Sequence, residues 1–115
     1  MEAGRKIYDK LSFRLQAVFE GLVRWAFCFV EQEKDLSRYF SAMLTDLNAE
    51  IPPIRSGRRI SDSTLKIYIR ELKKEGLIEV KFSKQKVTWK FTEKGLRLIE
   101  YYVYTVLRLS ASFLF

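Results

Sequence analysis

A mainly α domain carrying one small β-hairpin, α+β in class, is what this 115-residue sequence predicts. Three observations carry the prediction. Apolar residues recur at three- and four-residue spacing through four separate stretches, the mark of amphipathic helices. Two short runs late in the chain alternate apolar and polar residues around a polar turn. Each of the three later helical stretches follows a Ser, Thr or Asp able to cap it.

Residues 5–31 read as one long N-terminal helix, with Tyr8, Leu11, Leu15, Val18, Phe19, Leu22, Trp25 or Ala26, and Phe29 along its stripe. Its second half is apolar nearly all round, which calls for burial against more than one surface. Asp35 is placed to cap a second helix over 36–48, striped by Leu36, Tyr39 or Phe40, Met43 or Leu44, and Leu47. Residues 49–59 contain Pro52-Pro53 and Gly57 and cannot continue a helix, so they form a loop. Ser61-Asp62-Ser63 then offers cap oxygens to a helix running to Glu75, with Leu65, Tyr68 or Ile69, and Leu72 inward and Gly76 as its stop. Residues 77–82 alternate as a strand, 83–86 are a polar turn, and 87–91 alternate again with Val87, Trp89 and Phe91 on one face. Thr92 caps a last helix over 93–112.

The composition sets bounds on chemistry. The chain is 48% hydrophobic and 15% aromatic, enough for one ordered core, so residues 1–115 form a single domain. With no His, imidazole catalysis and imidazole metal ligation are excluded. One Cys excludes a disulfide framework and a zinc ribbon, and five Gly leave little room for a phosphate-cradling loop. No enzyme activity, cofactor or metal is therefore expected. Cys28 lies in the apolar run 25–30 and is expected to be a small buried hydrophobe; an unpaired thiol suits a reducing cytoplasm. The N-terminus lacks the uninterrupted apolar run of a secretory signal. The apolar stretches 15–30 and 96–115 carry Glu20 and Arg24, and Arg97, Glu100 and Arg108, respectively, which disfavours a membrane span in either.

The charge is confined. Lys and Arg number 21 and Asp and Glu 14, a net of +7. Residues 55–90 hold eleven of the cations and four of the anions, so this one segment carries the whole excess. A basic face restricted to one third of the chain points to a polyanionic partner.

The segment Ile60-Ser61-Asp62-Ser63-Thr64-Leu65-Lys66-Ile67-Tyr68-Ile69-Arg70-Glu71-Leu72-Lys73-Lys74-Glu75-Gly76-Leu77-Ile78, followed by Phe91-Thr92-Glu93-Lys94-Gly95, resembles the recognition helix and the post-wing turn of MarR- and PadR-like winged helix-turn-helix regulators. The match covers about residues 60–100 and is specific to the superfamily; small winged-helix proteins of archaea, their viruses and plasmids are similar. The resemblance implies a winged helix with residues 35–91 as helix-turn-helix and wing, binding double-stranded DNA as a dimeric, sequence-specific transcriptional regulator in the cytoplasm, associated with the nucleoid. A plasmid or viral partition, replication or packaging factor, and a protein-interaction module on the same scaffold, remain open alternatives.

On that basis, Ser61, Ser63, Thr64, Lys66, Ile67, Arg70 and Lys73 of helix 61–75 are expected to face the major groove. Arg70 has the fork that suits a guanine edge, and Ile67 the apolar surface that suits a thymine methyl. Lys84 and Lys86 at the hairpin turn would reach phosphates, and Arg55, Arg58 and Arg59 of the basic loop would add further backbone or minor-groove contacts. The last helix, 92–115, has more apolar surface than one stripe can bury. Trp25, Phe29, Tyr101, Tyr104, Leu109 and Phe113 are therefore expected to form a homodimer interface.

Overall fold

A computed structural model describes residues 2–30, 36–51 and 59–102. Among these, five helices and three strands follow in the order α1 (Glu2–Lys10), α2 (Phe13–Phe27), β1 (Phe40–Met43), α3 (Leu44–Glu50), α4 (Asp62–Lys74), β2 (Ile78–Ser83), β3 (Lys86–Phe91) and α5 (Glu93–Tyr101). The class is α+β. The strands form one antiparallel sheet in the order β1-β3-β2, and the helices cover its inner face. Among the described residues no helix is long and apolar enough to cross a membrane.

The long helix predicted over 5–31 is two helices. Ser12 breaks it: its backbone is extended, and its Oγ accepts the Leu15 N–H at 3.3 Å, capping α2. The side-chain amide of Gln16 reaches back to the carbonyls of Tyr8 and Leu11, at 3.0 and 3.1 Å, and so satisfies the end of α1. The break lets α1 fold onto α5. Gly4 makes that approach possible, since a Cβ there would lie 2.5 Å from the Arg97 carbonyl oxygen and 2.7 Å from the Tyr101 Cβ.

The helix predicted over 36–48 is a strand followed by a shorter helix. Phe40 and Ala42 point into the core while Ser41 and Met43 face out, and β1 pairs with β3 from Phe40↔Trp89 to Met43↔Lys86. The apolar spacing in 36–48 satisfies both periods, and pairing with β3 decides between them. Leu44, Leu47 and Ile51 then carry α3 into the core. Asp35 lies outside the described residues.

Helix 61–75, the hairpin and the start of the last helix follow the sequence closely; residues 103–112 of that predicted helix lie outside the described residues. Ser61 caps α4, its Oγ accepting the Thr64 N–H at 3.1 Å. Gly76, at φ +77°, ends it. The N–H groups of Gly76 and Leu77 bond the carbonyls of Lys73 and Leu72, and Leu72 and Leu77 are both fully buried, which is a Schellman closure. Lys84, at φ 57°, turns the hairpin. Thr92 caps α5 through Gly95 N–H, and its hydroxyl donates to the Gly76 carbonyl. The core joins Phe19 and Leu22 of α2, Leu65, Ile69 and Leu72 of α4, Trp89 and Phe91 of β3, and Leu98 of α5. Tyr102 is buried there too, donating its hydroxyl to the Gln16 carbonyl at 2.9 Å; burial drives its acidity well below that of ordinary tyrosine.

Cys28 is exposed, contrary to the expectation of burial. α2 ends one residue earlier, so the thiol sits on the outside of the turn, 3.3 Å from the Arg24 carbonyl.

Candidate nucleic-acid interface

Helix α4 buries Leu65, Ile69 and Leu72 completely. The helical period then turns the residues between them outward. Ser63, Ile67, Arg70, Lys73 and Lys74 are exposed, and Lys66 is half-buried. Ile67 is 52% exposed at the centre of this outward face, an unusual position for a β-branched apolar side chain.

The hairpin stands beside this helix. Ile78, Val80 and Phe82 alternate on the inner side of β2, but only Ile78 is buried; Val80 and Phe82 are half-buried and pack against the edge of the core. Lys66 Nζ lies 5.2 Å and Arg70 Cζ 5.1 Å from the centroid of the Phe82 ring. Arg70, Lys73 and Lys74 form one wall of an open cleft of about 400 Å³, with Val80 and Phe82 opposite. Lys84 and Lys86 are exposed at the hairpin turn.

These cations form no ion pair among the described residues. Ion pairs among the described residues join Arg5 to Asp9, Arg24 to Glu20, and Arg97 to Glu93, all away from α4 and the hairpin. The acid nearest the start of α4, Asp62, is engaged by Thr45 Oγ1 at 2.9 Å and Asn48 Nδ2 at 3.0 Å. Glu79 accepts a bond from the Tyr39 hydroxyl at 3.4 Å.

The structure thus brings together Ser63, Lys66, Ile67, Arg70 and Lys73 on one helix, with the hairpin carrying Lys84 and Lys86 beside it. Ser61 and Thr64 have local duties: the Ser61 hydroxyl donates to Thr64 Oγ1 at 2.9 Å while capping the helix. Arg59 Nη1 donates to the carbonyls of Asn48 and Ala49, at 2.9 and 3.2 Å, closing the end of α3. Arg55 and Arg58 lie outside the described residues.

Among the residues expected at a dimer interface, Trp25 is half-buried, donating Nε1–H to the Ser41 carbonyl at 3.1 Å. Tyr101 stacks within the chain on Tyr8, ring centroids 5.1 Å apart. Phe29 is 55% exposed and its ring is tilted 47° against that of Trp25, centroids 5.6 Å apart. Tyr104, Leu109 and Phe113 lie outside the described residues.

Sequence reasoning missed Phe82, treating it as one more alternating strand residue. The alternation of 77–82 placed it on the inner side of the strand, but its nearness to Lys66 and Arg70 depends on β2 packing beside α4, which no local pattern marks. Asn48 was also missed. It is 8% exposed, and its amide bonds the Ile60 carbonyl at 2.7 Å as well as Asp62, fixing the entry to α4.

Among the described residues no group of His, Cys, Asp or Glu could hold a metal ion. No protein-family model, curated protein or solved structure gives a significant match to the chain.

Proposed function

We propose that this chain is a double-stranded DNA-binding protein of the winged-helix type, with α4 as the helix that enters the major groove and the β2–β3 hairpin as the wing on the flanking backbone. The observation that carries this reading is the single basic face. Six cations, Lys66, Arg70, Lys73, Lys74, Lys84 and Lys86, come from two adjacent elements and have no ion-pair partner among the described residues. An α-helix fits the major groove, and a hairpin beside it reaches phosphates. The element order supports the same type: a helix pair α3–α4, with β1 before it and a hairpin after it, joined in one sheet.

The biological role that suits this chemistry is sequence-specific regulation of transcription, with two copies on a two-fold site. Exposed Phe29 next to Trp25 supports the pairing of two chains. Selection of duplexes from a random pool tests the function. Enrichment of one motif, protected from cleavage on both strands, is expected. Failure to retain any duplex at low salt would refute DNA binding, and retention without enrichment would refute sequence specificity.

A further inference from the structure

We propose that Phe82 is a positioning residue of this interface: its ring holds Lys66 and Arg70 toward the hairpin, where both meet backbone phosphates, leaving base reading to Ser63 and Ile67. The proposal rests on the DNA-binding reading and deepens it.

The geometry has three parts. First, both cations lie within cation–π range of one ring, at 5.2 and 5.1 Å. They are one helical turn apart, so a single ring can serve both. Second, Lys66 and Arg70 occupy the flank of α4 that faces β2, while Ser63 and Ile67 lie opposite the buried Leu65 and Ile69, at the crown of the helix. Third, Arg70 lines the cleft between helix and hairpin with Lys73 and Lys74. With a helix in the groove and a hairpin beside it, that cleft is where the sugar–phosphate strand runs.

The chemistry of arginine suits this arrangement. A guanidinium lying over an aromatic face still has its edge N–H groups free to donate, so the ring and a phosphate do not compete for it. Lysine and arginine ordinarily lose much rotamer freedom when they bind an anion. The ring restricts them before DNA arrives, and a leucine of similar bulk would not.

The test uses the full chain, its selected duplex and a scrambled duplex of equal length. Phe82→Leu is expected to weaken binding about three- to tenfold on both duplexes alike, because the two side chains must then be ordered on binding. Phe82→Trp is expected to restore it. In a Lys66→Ala/Arg70→Ala background, Phe82→Leu should have no further effect, a result that mere hairpin packing would not produce. Arg70→Ala should likewise cost the same factor on both duplexes, while Ile67→Ala should cost more on the selected one. Wild-type affinity in Phe82→Leu, or an undiminished loss in the double-alanine background, overturns the positioning role while DNA binding stands. A greater loss for Arg70→Ala on the selected duplex overturns the assignment of Arg70 to phosphate. If Phe82→Leu fails to fold, the upfield ring-current shift of the Lys66 and Arg70 side-chain methylenes in the wild type decides whether the ring holds them; its absence overturns the proposal. A wild-type chain that binds no duplex removes the DNA reading, and this proposal with it.

Discussion

Salt should act on this protein with a steepness set by the cations on one face. Six Lys and Arg side chains, at 66, 70, 73, 74, 84 and 86, can neutralise phosphates from α4 and the hairpin turn. If each releases the counterions of one phosphate, log affinity should fall against log salt with a slope of about −5.4 for each chain bound, and about twice that for a dimer on a two-fold site. Raising monovalent salt from about 50 to about 200 mM then weakens binding about 2,000-fold per chain. The perturbation that localises the effect is the double variant Lys84→Ala/Lys86→Ala. Both residues are exposed at the turn of the hairpin, so the fold should tolerate the change. The slope should fall to about −3.6 per chain, and the same salt step should cost only about 150-fold per chain. Fluorescence anisotropy of a labelled duplex across five salt concentrations measures both slopes. A wild-type slope shallower than about −2, or an unchanged slope in the double variant, would refute the placement of a phosphate-bearing partner across helix and hairpin.

Three further outcomes follow from particular contacts. Asn48→Ala removes the amide that ties the Ile60 carbonyl and Asp62 to α3, and should cost about 1–3 kcal/mol, read as a melting temperature lowered by roughly 4–12 °C. Burial raises the pKa values of Tyr8 and Tyr102 above the ordinary 10.0, so the folded state keeps protons that the unfolded chain gives up. Stability should therefore hold up to about pH 10 and fall above it; urea melts at stepped pH that show no decline there, or no flattening in Tyr102→Phe, would count against this burial. Sedimentation equilibrium at tens of micromolar should give twice the 13.7 kDa chain mass, and Phe29→Glu should return it to one chain; a monomeric wild type would refute the dimer.

The elements whose ends are marked by local chemistry were legible in the sequence. Ser61, Gly76 and Thr92 act within a few residues of where they stand, and the helix and hairpin between them fall within a residue or so of their expected bounds. What the sequence hid depends on distant partners. The stripe through 5–31 continues across Ser12, so the sequence shows no break there; the break is visible once Ser12 caps α2 and α1 lies against α5 at Gly4. Phe40 looked like a helical core residue; it becomes a strand residue because Trp89 lies opposite it on β3, some fifty positions later. The basic face was legible as a charge excess, since any outward cation on 61–75 adds to it. Its internal division was not, because the side of α4 on which Lys66 and Arg70 lie has meaning only once β2 stands beside it.

The same distant contacts explain why α4 suits a rigid binding element. Its first turn is held from α3 by Asn48 and Thr45 on Asp62 and by its own cap at Ser61. On its α2 side, the Tyr68 hydroxyl accepts from Arg14 at 3.1 Å. Its last turn is closed by Gly76, whose carbonyl accepts the Thr92 hydroxyl at the head of α5. The Leu77 carbonyl that follows accepts the Thr92 N–H and lies so close to Gly95 that no side chain fits there. The helix is thus fixed at both ends by elements that also set where the hairpin begins and ends. Helix and hairpin cannot easily tilt apart, so the cations on them keep a constant spacing. A backbone held in this way loses less freedom on meeting a regularly charged partner than one whose helix and hairpin move independently. On the proposed DNA-binding reading, that difference separates a built nucleic-acid face from a merely basic one, and the joints around α4 then matter to binding as much as the cations themselves.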